Sequence, residues 1–228
     1  MHVSPGVVEG SKLLLSYATG AASLVLAAKL ARDTVRSDGG MKALIWRSLA
    51  TTAQVLIFFQ VLPHYVAGLS EVHFIFGAAL YLVFGAGPTA IGLAAGLLLQ
   101  GWLFQPSDLP QYFINVTTLI VPLWFVAFLA KRVVAHNTPY VDMKYPQMLA
   151  LSFGYQGGVI LVVAFWCLYG KGFGASNISA ILWFGLNYLI VIVFEPIVSL
   201  AALALAKKYD YLAKGHPLFY NRLHHQVA

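Results

Sequence analysis

The stretch His73–Pro88, HFIFGAALYLVFGAGP, decides the fold because it sets the number of times that the chain crosses a membrane. Its apolar part stops at Gly85-Ala86-Gly87-Pro88, and glycine together with proline is the strongest local break in a sequence. If this part were joined to the next apolar run, the span would have about 32 residues, whereas a bilayer needs about 20. The break therefore predicts two spans here, the first of them short.

Working outward from this stretch, hydropathy predicts an all-α integral membrane protein with about seven transmembrane helices. The spans lie near Ser11–Ala31, Ala43–Leu62, His73–Gly85, Pro88–Phe104, Gln111–Ala130, Met148–Tyr169 and Ile178–Ala206. The last one contains Glu195-Pro196, where we expect a kink or an exit from the membrane. Residues 1–206 would then form the membrane domain, including an extracytoplasmic N-terminal arm, and residues 207–228 a polar cytoplasmic tail.

The composition agrees with a membrane protein. Of the 228 residues, 60% are hydrophobic and only 10% are charged, and the mean hydropathy is +0.77. A soluble domain carries about 25% charged side chains, so this composition excludes a soluble enzyme, a disordered tail and a nucleic-acid-binding module. The single cysteine, Cys167, excludes a disulfide framework and any cysteine-based zinc or iron–sulfur site.

The basic residues predict the orientation. With seven spans, Lys12 and Lys171 lie on one side, and the other 12 of the 14 lysines and arginines lie on the opposite side. Cytoplasmic loops carry the excess of basic residues, which also explains the net charge of +6 without nucleic acid. We therefore expect a multi-pass protein of the bacterial inner membrane, in contact with lipid, with its N-terminus outside and its C-terminus in the cytoplasm.

The start of the chain, Met1-His2, offers donors for a metal ion. The Met1 amine, the backbone nitrogen of His2 and the His2 imidazole can close a five- and a six-membered chelate ring on one ion. A fourth nitrogen would complete a planar set, which favours Ni(II) or Cu(II) over tetrahedral zinc, while Co(II) remains possible. Taken alone, His2 is better explained as a chance residue after the start.

His73 is the best candidate for the fourth nitrogen because it lies on the same predicted side as the N-terminus. His64 lies in the same loop and is the competing candidate, and Glu71 could orient His73 or attract a cation. Asn115, near the same face, could also support the ion. Taken alone, His73 could be an interfacial histidine with an ordinary polar contact.

These segments resemble the CbiM/NikM proteins, the substrate-binding membrane subunits of energy-coupling factor importers for cobalt and nickel. The start Met1–Gly6 resembles the Met-His-Ile-x-x-Gly start of that family. The motifs that follow in the family, His-Leu-Leu-Gly, Gly-Pro and Leu-Leu-x-Gln-x-Leu-Phe, resemble His73–Leu80, Gly87-Pro88 and Leu97–Phe104. The Ala-Asn-Val turn of the family resembles Asn115-Val116. The resemblance implies a seven-helix subunit that binds one divalent ion through the terminal amine, the amide nitrogen and imidazole of His2, and an imidazole equivalent to His73. The loop that is often rich in glycine and aspartate in that family is Gln105–Asp108 here.

Glu195 is the one acidic residue deep in an apolar run, and Arg47 is its expected partner near the inner boundary. Alternatively, Glu195 lies at the cytoplasmic interface because its helix is long.

The leading prediction for function is a capture subunit for Co2+ or Ni2+, with Cu2+ not excluded. Since the sequence has no nucleotide-binding loop or catalytic triad, it predicts a non-enzyme that works with a coupling transmembrane subunit and separate ATPases. The alternative is a non-transport accessory subunit of a larger membrane complex that uses the same fold.

Overall fold

The computed structural model describes residues 2–213 and 215–224, and it is a bundle of α-helices with one small β-hairpin. The prediction of an α-helical membrane fold is confirmed. The helices are α1 (Leu13–Ser37), α2 (Gly40–Gln60), α3 (Gly77–Phe84), α4 (Ala86–Leu103), α5 (Tyr112–Val133), α6 (Tyr145–Lys171), α7 (Ala175–Lys208) and the short α8 (Asp210–Ala213).

Five helical segments of the described part are long and apolar enough to cross a membrane, namely those that contain α1, α4, α5, α6 and α7. The protein is therefore a multi-pass membrane protein. Helices α2 and α3 complete the bundle, and α4 packs against α1, α2 and α5. The full count of seven spans and the orientation of the N-terminus stay predictions.

The third predicted span, His73–Gly85, is wrong over its first four residues. His73 ends a strand, and α3 begins only at Gly77. With 8 residues and about 1.5 Å of rise per residue, α3 is roughly 12 Å long. It is nevertheless central, since seven of its residues are buried and it contacts α2, α4, α5, α6 and α7. Gly85, with a φ of 89°, turns the chain from α3 into α4, and a positive φ favours glycine.

Strands β1 (His64–Ala67) and β2 (Ser70–His73) form the hairpin that precedes α3. They are antiparallel, with His64 opposite His73 and Ala67 opposite Ser70. Gly68, with a φ of 66°, is the first of the two turn residues, which is the position that requires glycine in a type II′ turn.

The loops collect at two ends of the bundle. The N-terminal arm, the hairpin and the segment around Asp108 meet at one end, which we call the histidine end. The loop between α1 and α2, the loop between α5 and α6 and residues 215–224 meet at the other, the arginine end. There the described part of the predicted tail packs on the helices: Leu223 and Arg222 are buried, and Tyr220 N–H donates to the Val83 carbonyl. The domain boundary after Ala206 stays a prediction.

Helix α7 is continuous through Pro196, so an interruption of the helix at Glu195-Pro196 is wrong, whereas the expected kink stays a prediction. The expected pair between Glu195 and Arg47 is also wrong. Arg47 instead pairs with Asp38, while Glu195 accepts hydrogen bonds from the Ala78 N–H and the Gln156 amide. Arg47 thus binds residues of the arginine end, whereas Glu195 lies in the middle of the bundle.

Candidate metal centre

The N-terminal arm, whose described part is residues 2–9, is held against the hairpin by backbone hydrogen bonds and one β-bridge. The His2 carbonyl accepts hydrogen bonds from the Ser70 hydroxyl (2.8 Å) and the Glu71 N–H (3.0 Å), and Ser4 N–H donates to the Leu69 carbonyl (3.0 Å). Val3 pairs with Ser70 in a β-bridge. These hydrogen bonds involve the carbonyl of His2 but not its N–H, and they bring the His2 side chain into the bundle, where it is 2% exposed.

Asn115, from α5, fixes the arm from the other side. Its side-chain oxygen accepts a hydrogen bond from the Val3 N–H at 3.0 Å, and both residues are buried. A buried backbone N–H needs a partner, and Asn115 supplies it next to His2. Asn115 therefore holds the residue that follows His2 in place.

His73 reaches the same place from β2. Its ring centroid lies 4.7 Å from that of His2, and His73 is fully buried. Phe59, from α2, lies beside both rings, with centroid distances of 4.9 Å to His2 and 5.1 Å to His73. The two imidazoles thus share one apolar wall.

Glu71 supplies an oxygen atom between the two histidines. Its Oε2 lies 2.9 Å from His73 Nε2 and 3.8 Å from His2 Nδ1. One ligand atom from each of His2, Glu71 and His73 can be chosen so that all three lie within 4.8 Å of one another. Three side chains at this spacing can bind a single cation.

His64 lies opposite His73 on the same face of the hairpin, but it is exposed whereas His73 is buried. The two rings stack, with centroids 5.1 Å apart and planes at 12°. His64 covers His73 from the solvent side, whereas His73 itself is in contact with His2.

Asp108 is a member of the cluster that the sequence did not predict. Its Oδ2 lies 3.0 Å from His2 Nδ1, and the side chain belongs to the 3-10 helix Pro106–Gln111, which precedes α5. Nδ1 is the imidazole nitrogen that would close a chelate ring with the His2 backbone nitrogen. Two carboxylates therefore face the atom at which a cation would bind.

Burial favours the neutral, metal-binding form of both imidazoles. Burial lowers the pKa of His2, although the neighbouring Asp108 opposes this shift, and burial lowers the pKa of His73 well below its ordinary value. His2 Nε2 and His73 Nδ1 are buried and have no hydrogen-bond partner among the described residues. Because an unpaired buried polar atom is costly, these nitrogens are suited to bind an ion or to change partner when one binds.

Met1, the remaining predicted ligand, lies outside the described residues, so its amine stays a prediction. His2 and His73 are brought together, and Glu71 joins them directly. Asn115 supports the arm, and His64 covers the site.

Gly170, near the end of α6, lies directly against the backbone of the arm at Val7. A Cβ at this position would lie 2.1 Å from the Val7 carbonyl oxygen, which belongs to the backbone. Replacing Gly170 with alanine is therefore expected to displace the arm and to weaken the binding of a divalent metal ion at this cluster about tenfold without removing any of its side chains. Gly157→Ala, in the same helix, is the control because its Cβ would meet only ordinary contacts at 3.9 Å. Equal affinity of both variants for the divalent ion, measured by calorimetry, would contradict the prediction.

The fold and this end of the bundle define a class of protein: a polytopic α-helical membrane protein with two buried histidines and two partly buried carboxylates grouped where the N-terminal arm meets the helices. Residues 2–211 match the family described as cobalt uptake substrate-specific transmembrane region, CbiM, and the chain belongs to that family. It is a membrane component of cobalt uptake, and the resemblance predicted from the sequence is confirmed. Comparisons with curated proteins and with solved structures gave no match.

Proposed function

We propose that this chain is the substrate-capture subunit of an importer of the energy-coupling factor type, and that it binds one Co2+ ion at the cluster of His2, Glu71 and His73. The observation that supports this most strongly is the contact between the two buried imidazoles, one from the start of the chain and one from the hairpin. Two rings so far apart in sequence meet only because the arm folds back.

The proposed donor set combines nitrogen and oxygen. Met1 and His2 would supply the chelating nitrogens, His73 a further imidazole, and Glu71 and Asp108 nearby carboxylates. Affinities generally rise from Co2+ to Ni2+ to Cu2+ at a given set of ligands, so selection for cobalt has to come from geometry. Carboxylate oxygens above or below a planar nitrogen set would favour an ion that accepts more than four ligands. Ni2+ is the principal competitor, and Cu2+ is the ion that a strictly planar set would prefer.

The distribution of basic residues supports an extracytoplasmic site. Of the 14 lysines and arginines, Lys12 and Lys171 belong to the histidine end, whereas Arg222, Lys144 and Lys207 are among those of the arginine end. By the positive-inside rule the arginine end would face the cytoplasm. A coupling membrane subunit and separate ATPases would then dock from that side and supply the energy.

The experiment is metal analysis of the purified full-length chain with its native N-terminus, followed by titration with Co2+ and Ni2+. We expect one ion per chain and co-purification with a coupling membrane protein and ATPases. Absence of Co2+ binding would overturn the proposal. Association with redox subunits instead would support the accessory-subunit alternative.

The Met1 amine has its own test. Adding two residues before Met1 converts the amine into an amide, which is a poor ligand unless it loses its proton. We expect the affinity for Co2+ to fall at least tenfold, as measured by calorimetry, while the thermal stability of the metal-free protein stays unchanged. Full affinity of the extended chain would exclude the amine as a ligand.

The metal-free protein is expected to lose stability on acidification. Since the pKa of His2 and of His73 is lowered in the folded state, the unfolded chain binds more protons below its imidazole pKa of about 6.5. Stability is thus fully present above that pH and declines as the pH falls, by up to about 1.4 kcal/mol per pH unit for each histidine. Thermal unfolding at pH 7.5, 6.5 and 5.5 measures this, and His73→Gln should flatten the dependence. A pH-independent midpoint in the wild-type protein would contradict the prediction.

A further inference from the structure

The Glu195 carboxylate lies in the middle of the bundle. In the sequence it is far from His2 and His73 and from any loop. Glu195, in α7, is fully buried, and its Oε1 accepts a hydrogen bond from the Ala78 N–H at 2.8 Å. Its Oε2 accepts a second one from the Gln156 amide of α6, also at 2.8 Å. Ionisable side chains within a membrane are costly and usually serve a function, so this arrangement requires an explanation.

Gln156 connects the same carboxylate to the segment that carries His73. Its amide nitrogen also donates to the Ile75 carbonyl at 2.8 Å, and Ile75 N–H in turn donates to the His73 carbonyl at 3.0 Å. Glu195 and Gln156 together therefore hold both ends of the segment Ile75–Ala78. We call this set of hydrogen bonds the α6–α7 clasp.

The held segment needs such support because it lies between two regular elements. Residues 74–76 follow β2 and precede α3. The Phe76 carbonyl accepts a hydrogen bond from the Leu80 N–H of α3, but Phe74 and Ile75 belong to neither a strand nor a helix. Packing adds to the clasp at Gly77, where a Cβ would lie 2.1 Å from Tyr155 Cζ of α6. The path of the chain directly after His73 is thus set by side chains of α6 and α7.

We propose that Glu195 and Gln156 are positioning residues for the metal site, and that they keep the His73 imidazole at the place where it can share an ion with His2. The inference rests on the proposed role of His73 as a ligand. A functional constellation has to be held within about 0.5 Å of its productive geometry by the residues behind it. The α6–α7 clasp is the connection of His73 to the two helices packed against it.

The clasp also connects the metal site to the other end of the protein. Helix α7 runs without a break from Ala175 to Lys208, and Lys207 forms an ion pair with Asp142 at the arginine end. A shift of α7 relative to α6 would therefore move the Glu195 carboxylate, which accepts the hydrogen bond from the Ala78 N–H. The segment Ile75–Ala78 would move with it, and so would His73.

The test compares Co2+ binding by Glu195→Ala, Glu195→Gln and Asn187→Ala in the full-length chain. Asn187 is the matched control because it lies in α7 and its amide donates only within that helix, to the Trp183 carbonyl. The readouts are the affinity and the visible absorption spectrum of bound Co2+, which reports the geometry of the ligands. Circular dichroism and size-exclusion chromatography establish that each variant is folded.

We expect Glu195→Ala to lower the affinity at least tenfold and to change the spectrum, and Asn187→Ala to change neither. Glu195→Gln should be intermediate, because its carbonyl oxygen still accepts from Ala78 but its amide faces the Gln156 amide. A folded Glu195→Ala variant with wild-type affinity and spectrum would overturn the inference. If that variant does not fold, Glu195→Gln decides by the same criterion. Failure of the wild-type protein to bind Co2+ would instead reject the proposed function.

Discussion

Replacing His73 with alanine is expected to lower the affinity for Co2+ at least a hundredfold, a loss of about 2.7 kcal/mol in binding free energy. The variant removes the imidazole that contacts His2 and leaves Glu71 without its 2.9 Å partner. Cα atoms of the arm and hairpin should stay in place because their backbone hydrogen bonds do not involve this side chain. Isothermal titration of the metal-free protein with Co2+ measures the effect.

His64→Ala is the matched control for this prediction. His64 is the same residue type, lies directly opposite in the hairpin and stacks on His73, but it is exposed. We expect its loss to change the affinity less than threefold. The reverse result, with His64 essential and His73 dispensable, would assign the fourth nitrogen to the competing candidate.

Hydropathy predicted the long helices well because a helix that crosses a membrane needs a run of about 20 mostly apolar residues, and such runs can be recognised in the sequence. It failed at His73–Phe76, where an apolar run was interpreted as the first turns of a helix. Residues 74–76 form neither a strand nor a helix: the Ile75 carbonyl accepts a hydrogen bond from the Gln156 amide instead of a helical N–H, and Tyr155 packs directly on Gly77, where α3 begins. Both causes come from α6, about 80 residues further along the chain, so no local pattern could indicate them.

Among the candidate site residues, His2, Glu71 and His73 were accessible to prediction because imidazoles and carboxylates on one membrane face are rare. Asp108 was not, because a single aspartate in a loop carries no pattern that connects it to a residue at the start of the chain. The glycine- and aspartate-rich loop of the resembling family was the available signal. The predicted Arg47–Glu195 pair is an error of the other kind, a contact that was predicted but does not form. The two residues have opposite charges and similar predicted depths in the membrane, but packing gives each of them a different partner.

The actual surroundings of Arg47 make it a position at the arginine end where substitution is expected to be costly. The side chain is fully buried, and its guanidinium donates to the Asp38 carboxylate and to the Pro217 carbonyl. The other oxygen of Asp38 accepts a hydrogen bond from the Asn221 N–H at 3.2 Å. Arg47 and Asp38 thus join α2 and the loop before it to the segment that follows α8.

Arg47→Met is therefore expected to destabilise the protein by about 3–5 kcal/mol, because it leaves a buried carboxylate without its cation while keeping most of the side-chain volume. Lys207→Met is the control: that lysine pairs with Asp142, but the two side chains are 63% and 48% exposed, so its loss should cost less than about 1 kcal/mol. Unfolding midpoints in denaturant measure both. The double variant Arg47→Met/Asp38→Asn should recover part of the lost stability, since it also removes the negative charge of Asp38 that the single variant leaves buried without a cation. If the single variant were as stable as Lys207→Met, the pair could not be what fixes the C-terminal segment to the bundle.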